Sequence, residues 1–284
     1  MIAAYLAALA VASLSVVALA GNPLTAAAVA DLAATVVVFA FSRSLRNSSL
    51  YDPYWSVAPP VLVLYWWLQS AAGFHPLAWL AFVLTCLWAV RLTANWASGW
   101  QGLMDEDWRY RRLQQQLGFW YWPVSLLGIH LLPTAVVFVG VLPVFALLQS
   151  QGEVAWGWAL LGAAVGLSAV ALETQADRQL RRFRELRTSP DQLLTTGVWG
   201  WCRHPNYLGE LGFWLSLGLL ARAAGVSWWL SSVGFLVMLG LFVVVSIPMI
   251  ENKLLAAKPG YAQYRARTFA LLPVGLFVNR KTGS

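Results

Sequence analysis

Apolar runs of about twenty residues recur along this chain, and they constrain its fold more than any other feature. We distinguish eight of them, at about 2–20, 24–42, 57–73, 77–97, 123–148, 154–173, 207–221 and 226–249. An α-helix needs about 20 apolar residues to cross the hydrocarbon core of a bilayer, which is roughly 30 Å thick. The runs therefore predict an all-α fold, a polytopic transmembrane bundle of seven to eight helices.

Composition supports the membrane interpretation, because only 11% of the 284 residues are charged. Soluble domains carry about a quarter charged residues. The two cysteines, Cys86 and Cys202, have no partner at metal-ligand or disulfide-framework spacing. The segment at about 1–20 lacks the basic start of a signal peptide, so we expect a retained helix in a single domain, 1–284.

The basic residues predict the orientation of the bundle. All of the 19 Lys and Arg residues except Arg91 and Arg222 follow an even-numbered apolar run. Loops rich in Lys and Arg stay on the cytoplasmic side. Eight spans would then place both termini, and the polar side chains among these basic residues, at the cytoplasmic face.

A charged stretch continues the sixth apolar run. Glu173, Asp177, Arg181 and Arg184 recur at intervals of four, four and three, so they share one face if the helix continues. Salt bridges along a solvated helix end would explain Asp177 and Arg181. They explain Glu173 less well, because an ionisable group at the membrane boundary is costly and usually functional.

The stretch RHPNYLGE opens the seventh run. Pro205 suits the first turn of a helix, which places Asn206 and Glu210 on one face. Arg203 and His204 would lie beside the helix N-terminus, where an anion binds well. The glycine before Glu210 permits close approach of a backbone or a ligand. A capped helix with a Glu–Arg pair is the structural alternative.

Other polar residues lie near the ends of apolar runs or within them. Asp52 is flanked by aromatic residues in the stretch LYDPYWSV. Arg91 and Asn95 are one helical turn apart in an apolar run, so we expect them to face the bundle interior. Asp31 and His130 are isolated polar residues, for which we expect interhelical hydrogen bonds.

Two segments outside the apolar runs are expected to form amphipathic helices. Glu106 and Asp107 are candidate caps for a helix over Trp108–Leu117. After the last run, Glu251 is followed by the Tyr261–Arg267 segment, which is typical of a short helix that folds back over the cytoplasmic face.

Three stretches carry a resemblance to a known family: ETQADRQLRRFR, TGVWGWCRHPNYLGE and IPMIENKLLAAKPGYAQYRARTFALLP. They resemble the steroid 5-alpha-reductase family, mainly its bacterial branch, and the resemblance extends from Ser42 to Pro273. It implies an NADPH-dependent reductase of the C=C bond of an enone in a lipophilic substrate, a 3-oxo-Δ4-steroid or related lipid. It also implies a bacterial inner-membrane location, an additional first helix, and a cofactor-binding portion at about 171–273 that opens to the cytoplasm.

The resemblance also assigns catalytic residues. Asp52 matches the acid of a Gln-Glu pair near the substrate carbonyl, whereas Tyr51 departs from that pattern. Trp88 stands where the family has a tyrosine that binds the carbonyl, so Tyr51 or Tyr54 is expected to replace that tyrosine. Trp55 and Trp88 are the expected substrate contacts. Asp52 is expected to act as a neutral donor that stabilises the developing enolate.

NADPH is the expected cofactor, and Glu173 among its expected contacts replaces a family asparagine. These contacts are Arg91, Asn95, Glu173, Asp177, Leu180, Arg181, Arg184, Arg203, His204, Asn206, Tyr207, Glu210, Glu251, Tyr264 and Arg267. The expected partners are thus a lipophilic small molecule and membrane lipid, with no nucleic acid and no metal.

Two other functions remain open. An isoprenylcysteine-type carboxyl methyltransferase has a related membrane fold and a similar RHPxYxGE motif, and it would use S-adenosylmethionine. The five arginines between 178 and 187 favour NADPH, because arginine binds phosphate well and the sulfonium of the methyl donor is itself cationic. A lipid-binding or scaffold protein would leave Glu173 and Glu210 at the boundary without a role.

Overall fold

The computed structural model describes residues 1–19, 21–70 and 75–274. These ranges contain helices and loops and no strand, which confirms the all-α prediction. The α-helices in them are α1 (Ile2–Ala18), α2 (Pro23–Ser44), α3 (Tyr54–Gln69), α4 (Pro76–Gly99), α5 (Trp108–Leu117), α6 (Tyr121–Val124), α7 (Leu132–Gln149), α8 (Trp156–Leu186), α9 (Pro205–Ala223), α10 (Trp228–Leu241), α11 (Ile247–Ala257) and α12 (Tyr261–Arg267).

Two π-helical segments and three short 3₁₀ turns complete the secondary structure of the described ranges. The π segment Ser125–Leu131 joins α6 to α7, and Phe242–Ser246 joins α10 to α11. The 3₁₀ turns are Ser48–Leu50, Gly118–Trp120 and Gly197–Gly200. The described part of each predicted apolar run is mainly helical, and residue 20 of the first run and 71–73 of the third lie outside the described residues.

Five helical stretches among the described residues are long and apolar enough to cross a membrane, which indicates an integral membrane protein. They are Pro23–Ser44, Pro76–Gly99, Trp108–Gln149, Trp156–Leu186 and Trp228–Ala257. The helices α1 and α3 are shorter, with 17 and 16 residues. Most of α9 is buried inside the bundle, in contact with α4, α7, α8 and α10.

Glycines allow α9 to pack closely at the centre of the bundle. A Cβ on Gly209 would lie 2.4 Å from Cγ of Glu173 and 2.9 Å from the carbonyl oxygen of Ala169, both on α8. A Cβ on Gly140 of α7 would lie 2.5 Å from Cζ3 of Trp214. These positions exclude any side chain, because interiors are packed too densely to absorb one without a shift. The close approach expected at Gly209 is thus confirmed.

Several local predictions hold. Helix α8 runs unbroken for 31 residues, so it carries the predicted charged face. Pro205 is the first residue of α9. The Asp107 carboxylate accepts a hydrogen bond from the Arg109 amide at 2.8 Å and caps α5. Glu106 does not cap α5 and instead accepts a hydrogen bond from the Ser48 amide at 2.8 Å.

The two isolated polar residues do make interhelical hydrogen bonds. The Tyr54 hydroxyl of α3 donates to Oδ1 of Asp31 in α2 at 2.7 Å. His130 lies 3.3 Å from the Ser42 hydroxyl of α2 through Nε2, while its Nδ1 lies 2.9 Å from the Ser125 carbonyl oxygen. These bonds link α2 to α3 and to the π segment Ser125–Leu131.

Candidate functional site

A cavity of about 500 Å³ lies between the helices where most of the predicted polar residues converge. It is in the size range of cavities that hold small organic ligands. Its apolar wall comes from the α6–α7 and α10–α11 stretches, and its polar groups come from the start of α3, α4, α5, α8 and α9. The predicted site residues that line it are Tyr51, Asp52, Trp55, Arg91, Asn95, Glu173, Asp177, Asn206, Tyr207 and Glu210.

Arg91 is surrounded by three carboxylates at one end of this cavity. Its Nη1 donates to Oδ2 of Asp177 at 2.8 Å, and its Nη2 contacts Oε2 of Glu173 and lies 3.7 Å from Oε2 of Glu210. Glu173 and Glu210 are almost completely buried. We call these four residues the Arg91 cluster. Oε1 of Glu173 accepts no hydrogen bond from the described residues, so the cluster can accept a further one.

Glu210 is held in place by two indoles. Nε1 of Trp88 donates to its two carboxylate oxygens at 3.1 and 3.0 Å, and Nε1 of Trp214 donates to Oε1 at 3.0 Å. Trp88 is fully buried, stacks on Phe213 at 4.6 Å, and does not line the cavity. The structure therefore places Trp88 behind Glu210 as a positioning residue, and not at the surface where a substrate contact was predicted.

The charged face of α8 leads outward from the Arg91 cluster. Nη2 of Arg181 donates to Oδ1 of Asn95 at 2.9 Å, so this arginine crosses to α4 beside the cavity. Arg181 and Arg184 are exposed. Leu180 is half-buried on α8 but does not line the cavity. Arg181 and Arg184 do not line the cavity, although Asn95, the partner of Arg181, does.

A second polar group lies at the start of α3. The Tyr110 hydroxyl of α5 donates to Oδ1 of Asp52 at 2.6 Å. Burial raises the pKa of Asp52 to about 6, and this hydrogen bond and nearby Arg109 only partly oppose the effect. Both Tyr110 and Arg109 line the cavity.

Tyr110 was not among the site residues predicted from the sequence. Its segment was interpreted only as an amphipathic helix with an acidic cap. The available signal was a tyrosine on the first turn of α5, three residues after the capping Asp107, next to the basic Arg109. Nothing in that pattern indicated its partner, because Asp52 is 58 positions away along the chain.

The two predicted catalytic tyrosines face different ways. Tyr51 lines the cavity and its hydroxyl lies 2.8 Å from Oγ1 of Thr134. The Tyr54 hydroxyl instead bonds Asp31, and Tyr54 does not line the cavity. Trp55 lines the cavity and lies edge-on to Trp88, with ring centroids 5.9 Å apart. Of the aromatic residues around Asp52, Tyr51 and Trp55 therefore belong to the site.

A different cluster uses the donors predicted to bind an anion at the α9 N-terminus. Nε of Arg203 donates to Oε1 of Glu251 at 2.8 Å, and Nε2 of His204 lies 3.0 Å from the same oxygen. Arg265 also pairs with Glu251, at 3.2 Å. Burial lowers the pKa of His204 despite this acidic neighbour. We call these four residues the Glu251 cluster.

The Glu251 cluster fastens the C-terminal segment to the bundle. The amides of Arg203 and His204 donate to the carbonyl oxygens of Phe269 and Ala270 at 2.9 and 3.0 Å. The Tyr264 hydroxyl donates to the Trp199 carbonyl oxygen, and Arg267 is exposed. Arg203, His204, Glu251, Tyr264 and Arg267 do not line the cavity. In the structure, contacts within the protein that stabilise the fold are made by Arg203, His204, Glu251 and Tyr264. Contacts with the cofactor had been predicted for these residues.

Tyr207 and Asn206 connect the two clusters along α9. Both line the cavity, and the Tyr207 ring stacks between Phe242 at 4.6 Å and His204 at 5.5 Å. In the described ranges, no group of His, Cys, Asp and Glu is arranged to hold a metal ion. The cavity can hold an amphiphilic organic molecule, with hydrogen-bonding groups at two separate positions and an apolar wall between them.

Comparisons with known proteins give the family but no activity. The chain is 28% identical over 230 residues to the uncharacterized protein C594.04c of Schizosaccharomyces pombe (strain 972 / ATCC 24843), an alignment that covers 70% of this chain. The aligned part spans 66% of that relative's length. No solved structure matches the chain. A family of proteins of unknown function, DUF1295, which is related to the steroid 5-alpha-reductase superfamily, matches residues 38–268. Because this match covers most of the sequence, the chain belongs to the DUF1295 family.

Proposed function

We propose that the protein is a membrane-embedded, NADPH-dependent reductase of the C=C bond of an enone in a lipophilic substrate, such as a 3-oxo-Δ4-steroid or related lipid. The observation that carries the proposal is the Asp52–Tyr110 pair, which faces a largely apolar cavity that also contains the Arg91 cluster. One position suits a substrate carbonyl, and the other suits a polar cofactor.

The Asp52–Tyr110 pair has the properties needed to stabilise an enolate. A carboxyl with a pKa near 6 is partly neutral at moderate pH and can donate a hydrogen bond from its second oxygen, Oδ2, to a carbonyl. The Tyr110 hydroxyl donates to the other carboxyl oxygen, which makes the acid a stronger donor. As negative charge develops on the carbonyl oxygen, this donor lowers the barrier to reduction. In this proposal Tyr110 acts through Asp52, whereas the family tyrosine at the position of Trp88 would bind the carbonyl itself.

The residues of the Arg91 cluster and α8 fit NADPH. Oε1 of Glu173 is buried and accepts no hydrogen bond within the described ranges, so it is available to ribose hydroxyls or a carboxamide. The exposed Arg181 and Arg184 supply positive charge to phosphates. When bound, NADPH supplies the hydride for the β-carbon of the enone. The apolar wall would exclude water from the reacting atoms.

The position in the membrane forms part of the same proposal. The eight apolar helical regions would cross or enter the bilayer, with the α8 arginines at the cytoplasmic face of a bacterial inner membrane, where the cofactor is available. The substrate would reach the cavity from the lipid phase.

One observation favours the methyltransferase alternative. The Arg91 cluster contains three carboxylates and one guanidinium, so its unbalanced negative charge suits a cationic sulfonium better than a pyrophosphate. The exposed arginines of α8 favour NADPH over S-adenosylmethionine if they contact the bound ligand. Ligand binding therefore has to decide between the two functions.

Binding of NADPH and of S-adenosylmethionine to the detergent-purified protein tests the proposal. Arg184 shares the α8 face of Asp177, so Arg184→Gln should weaken NADPH binding by about tenfold or more through loss of a charge-assisted contact. Arg182→Gln is the matched control, because Arg182 lines a separate groove on the other side of α8. Binding of S-adenosylmethionine without NADPH binding would replace the reductase by the methyltransferase. NADPH binding would lead to an enone panel, in which Asp52→Asn should reduce turnover.

A further inference from the structure

A second cavity, of about 410 Å³, lies between α1, α2 and α3, outside the candidate active site. Its walls are formed mostly by small and apolar side chains, among them Ala8, Ala12, Ala27, Ala58 and Val61. The closely packed alanines of α1 and α2 form one side, and α3 forms the other. We call this cavity the N-terminal groove.

One acid interrupts the apolar lining of the groove. Asp31 is 5% exposed and is among the residues that line the groove. Its Oδ1 accepts the Tyr54 hydroxyl at 2.7 Å, and its Oδ2 accepts no hydrogen bond from the described residues. Among the described residues, no basic side chain lines the groove. Because Asp31 lines a largely apolar groove, its second oxygen points to a ligand in the groove that supplies the missing donor.

The depth of Asp31 restricts the ligand. Asp31 is the ninth residue of α2, about 12 Å along the helix from Pro23, and Ser44 lies about 20 Å beyond it. A phospholipid headgroup does not descend that far into the hydrocarbon core. An ammonium would also pay a large desolvation cost between these apolar walls. A hydroxyl is the donor that can reach this depth at the lowest cost.

From these observations we infer that the N-terminal groove binds an uncharged lipid alcohol, whose hydroxyl donates to Asp31 and whose apolar body lies between α1 and α3. The site is independent of the proposed reductase activity. Only one layer of aromatic rings separates it from the active-site cavity, because Tyr54 lines the groove, Tyr51 lines the cavity, and their ring centroids are 5.4 Å apart.

Photolabelling of the full-length protein in phosphatidylcholine nanodiscs tests this inference. The probes are a diazirine-bearing long-chain alcohol and its methyl ether, which lacks the donor. We expect the alcohol to label α1–α3 at least about tenfold more than the ether, since a hydrogen bond to a carboxylate is worth that factor or more. Equal labelling by the two probes would show that bulk lipid fills the groove and would overturn the inference.

Variants separate the hydrogen bond from the shape of the groove. The double substitution Asp31→Leu with Tyr54→Phe removes both partners of the buried hydrogen bond. Removing both preserves folding better than removing one, because no polar group is left unpaired. This variant should be labelled by the alcohol no more than by the ether. Ala12→Phe should fill the groove and abolish labelling. Leu14→Phe is the control, because Leu14 lies on α1, is 70% exposed and does not line the groove. Displacement of the alcohol by a long-chain amine at lower concentration would identify a cation site and refute the alcohol.

Discussion

Removal of the Tyr110 hydroxyl should change the pH dependence of the protein in a defined direction. The hydroxyl donates to Asp52 at 2.6 Å and stabilises the ionised carboxylate, so Tyr110→Phe should raise the pKa of Asp52 further above about 6. A hydrogen bond to a charged group is worth about 1.5–3 kcal/mol, and one pKa unit corresponds to about 1.4 kcal/mol. The expected increase is therefore about one to two pKa units.

The proposed reaction uses the neutral form of Asp52, which sets the sign of the effect on activity. Because the pKa of this acid is raised, the donor is present below pH about 6 and is lost as the pH rises through that value. In wild type, kcat/KM for an enone should fall along this alkaline limb. In Tyr110→Phe the limb should move to higher pH by about one to two units, with a lower maximum because the acid is a weaker donor.

Two measurements would check this reasoning. The first is the pH profile of kcat/KM, and the second is infrared titration of the Asp52 carboxyl, which does not depend on turnover. Tyr121→Phe is the matched control, because the Tyr121 hydroxyl lies 2.6 Å from the Ser48 hydroxyl and Tyr121 does not line the cavity. An unchanged or lowered Asp52 pKa in Tyr110→Phe would refute the role assigned to the pair.

Three further substitutions test the packing around the site. Gly209→Ala should lower the midpoint of thermal unfolding by the equivalent of about 1–3 kcal/mol, whereas Gly157→Ala, where a Cβ would meet nothing within 4 Å, should not. Arg91→Met should destabilise the fold by about 3–5 kcal/mol because it leaves buried carboxylates unpaired, and adding Glu173→Gln should recover part of the loss in the same assay. Glu251→Gln should increase proteolysis within 258–274 and leave the unfolding midpoint of the bundle nearly unchanged; a large fall in that midpoint would assign Glu251 to the core.

The sequence predicted the elements that depend on local interactions. The cap at Asp107, the proline start of α9 and the continuation of α8 each follow from side chains within a few residues of the feature. The convergence of Arg91, Glu173 and Glu210 could also be predicted from the sequence, because an ionisable group in an apolar run has to face the protein interior.

Long-range partners could not be predicted in the same way. Arg203 and His204 looked available to an anion, but Glu251 and the 268–270 backbone, which lie far along the chain, use their donors. Trp88 was predicted to contact the substrate, but its indole donates to Glu210 of α9 and its side chain does not line the cavity. Helical periodicity fixes the face of one helix and does not determine which residue of another helix meets it.

The unbroken course of α8 has a consequence for how the protein responds to its membrane. Its 31 residues extend about 46 Å, well beyond a hydrocarbon core of roughly 30 Å, and Glu173 lies about 17 Å along the axis from Arg184. Because one rigid helix carries both residues, this separation cannot change with bilayer thickness. A thicker or thinner membrane would instead shift the lipid boundary relative to the carboxylates and alter their hydration. Lipid chain length should therefore affect ligand affinity without any change in the bundle itself.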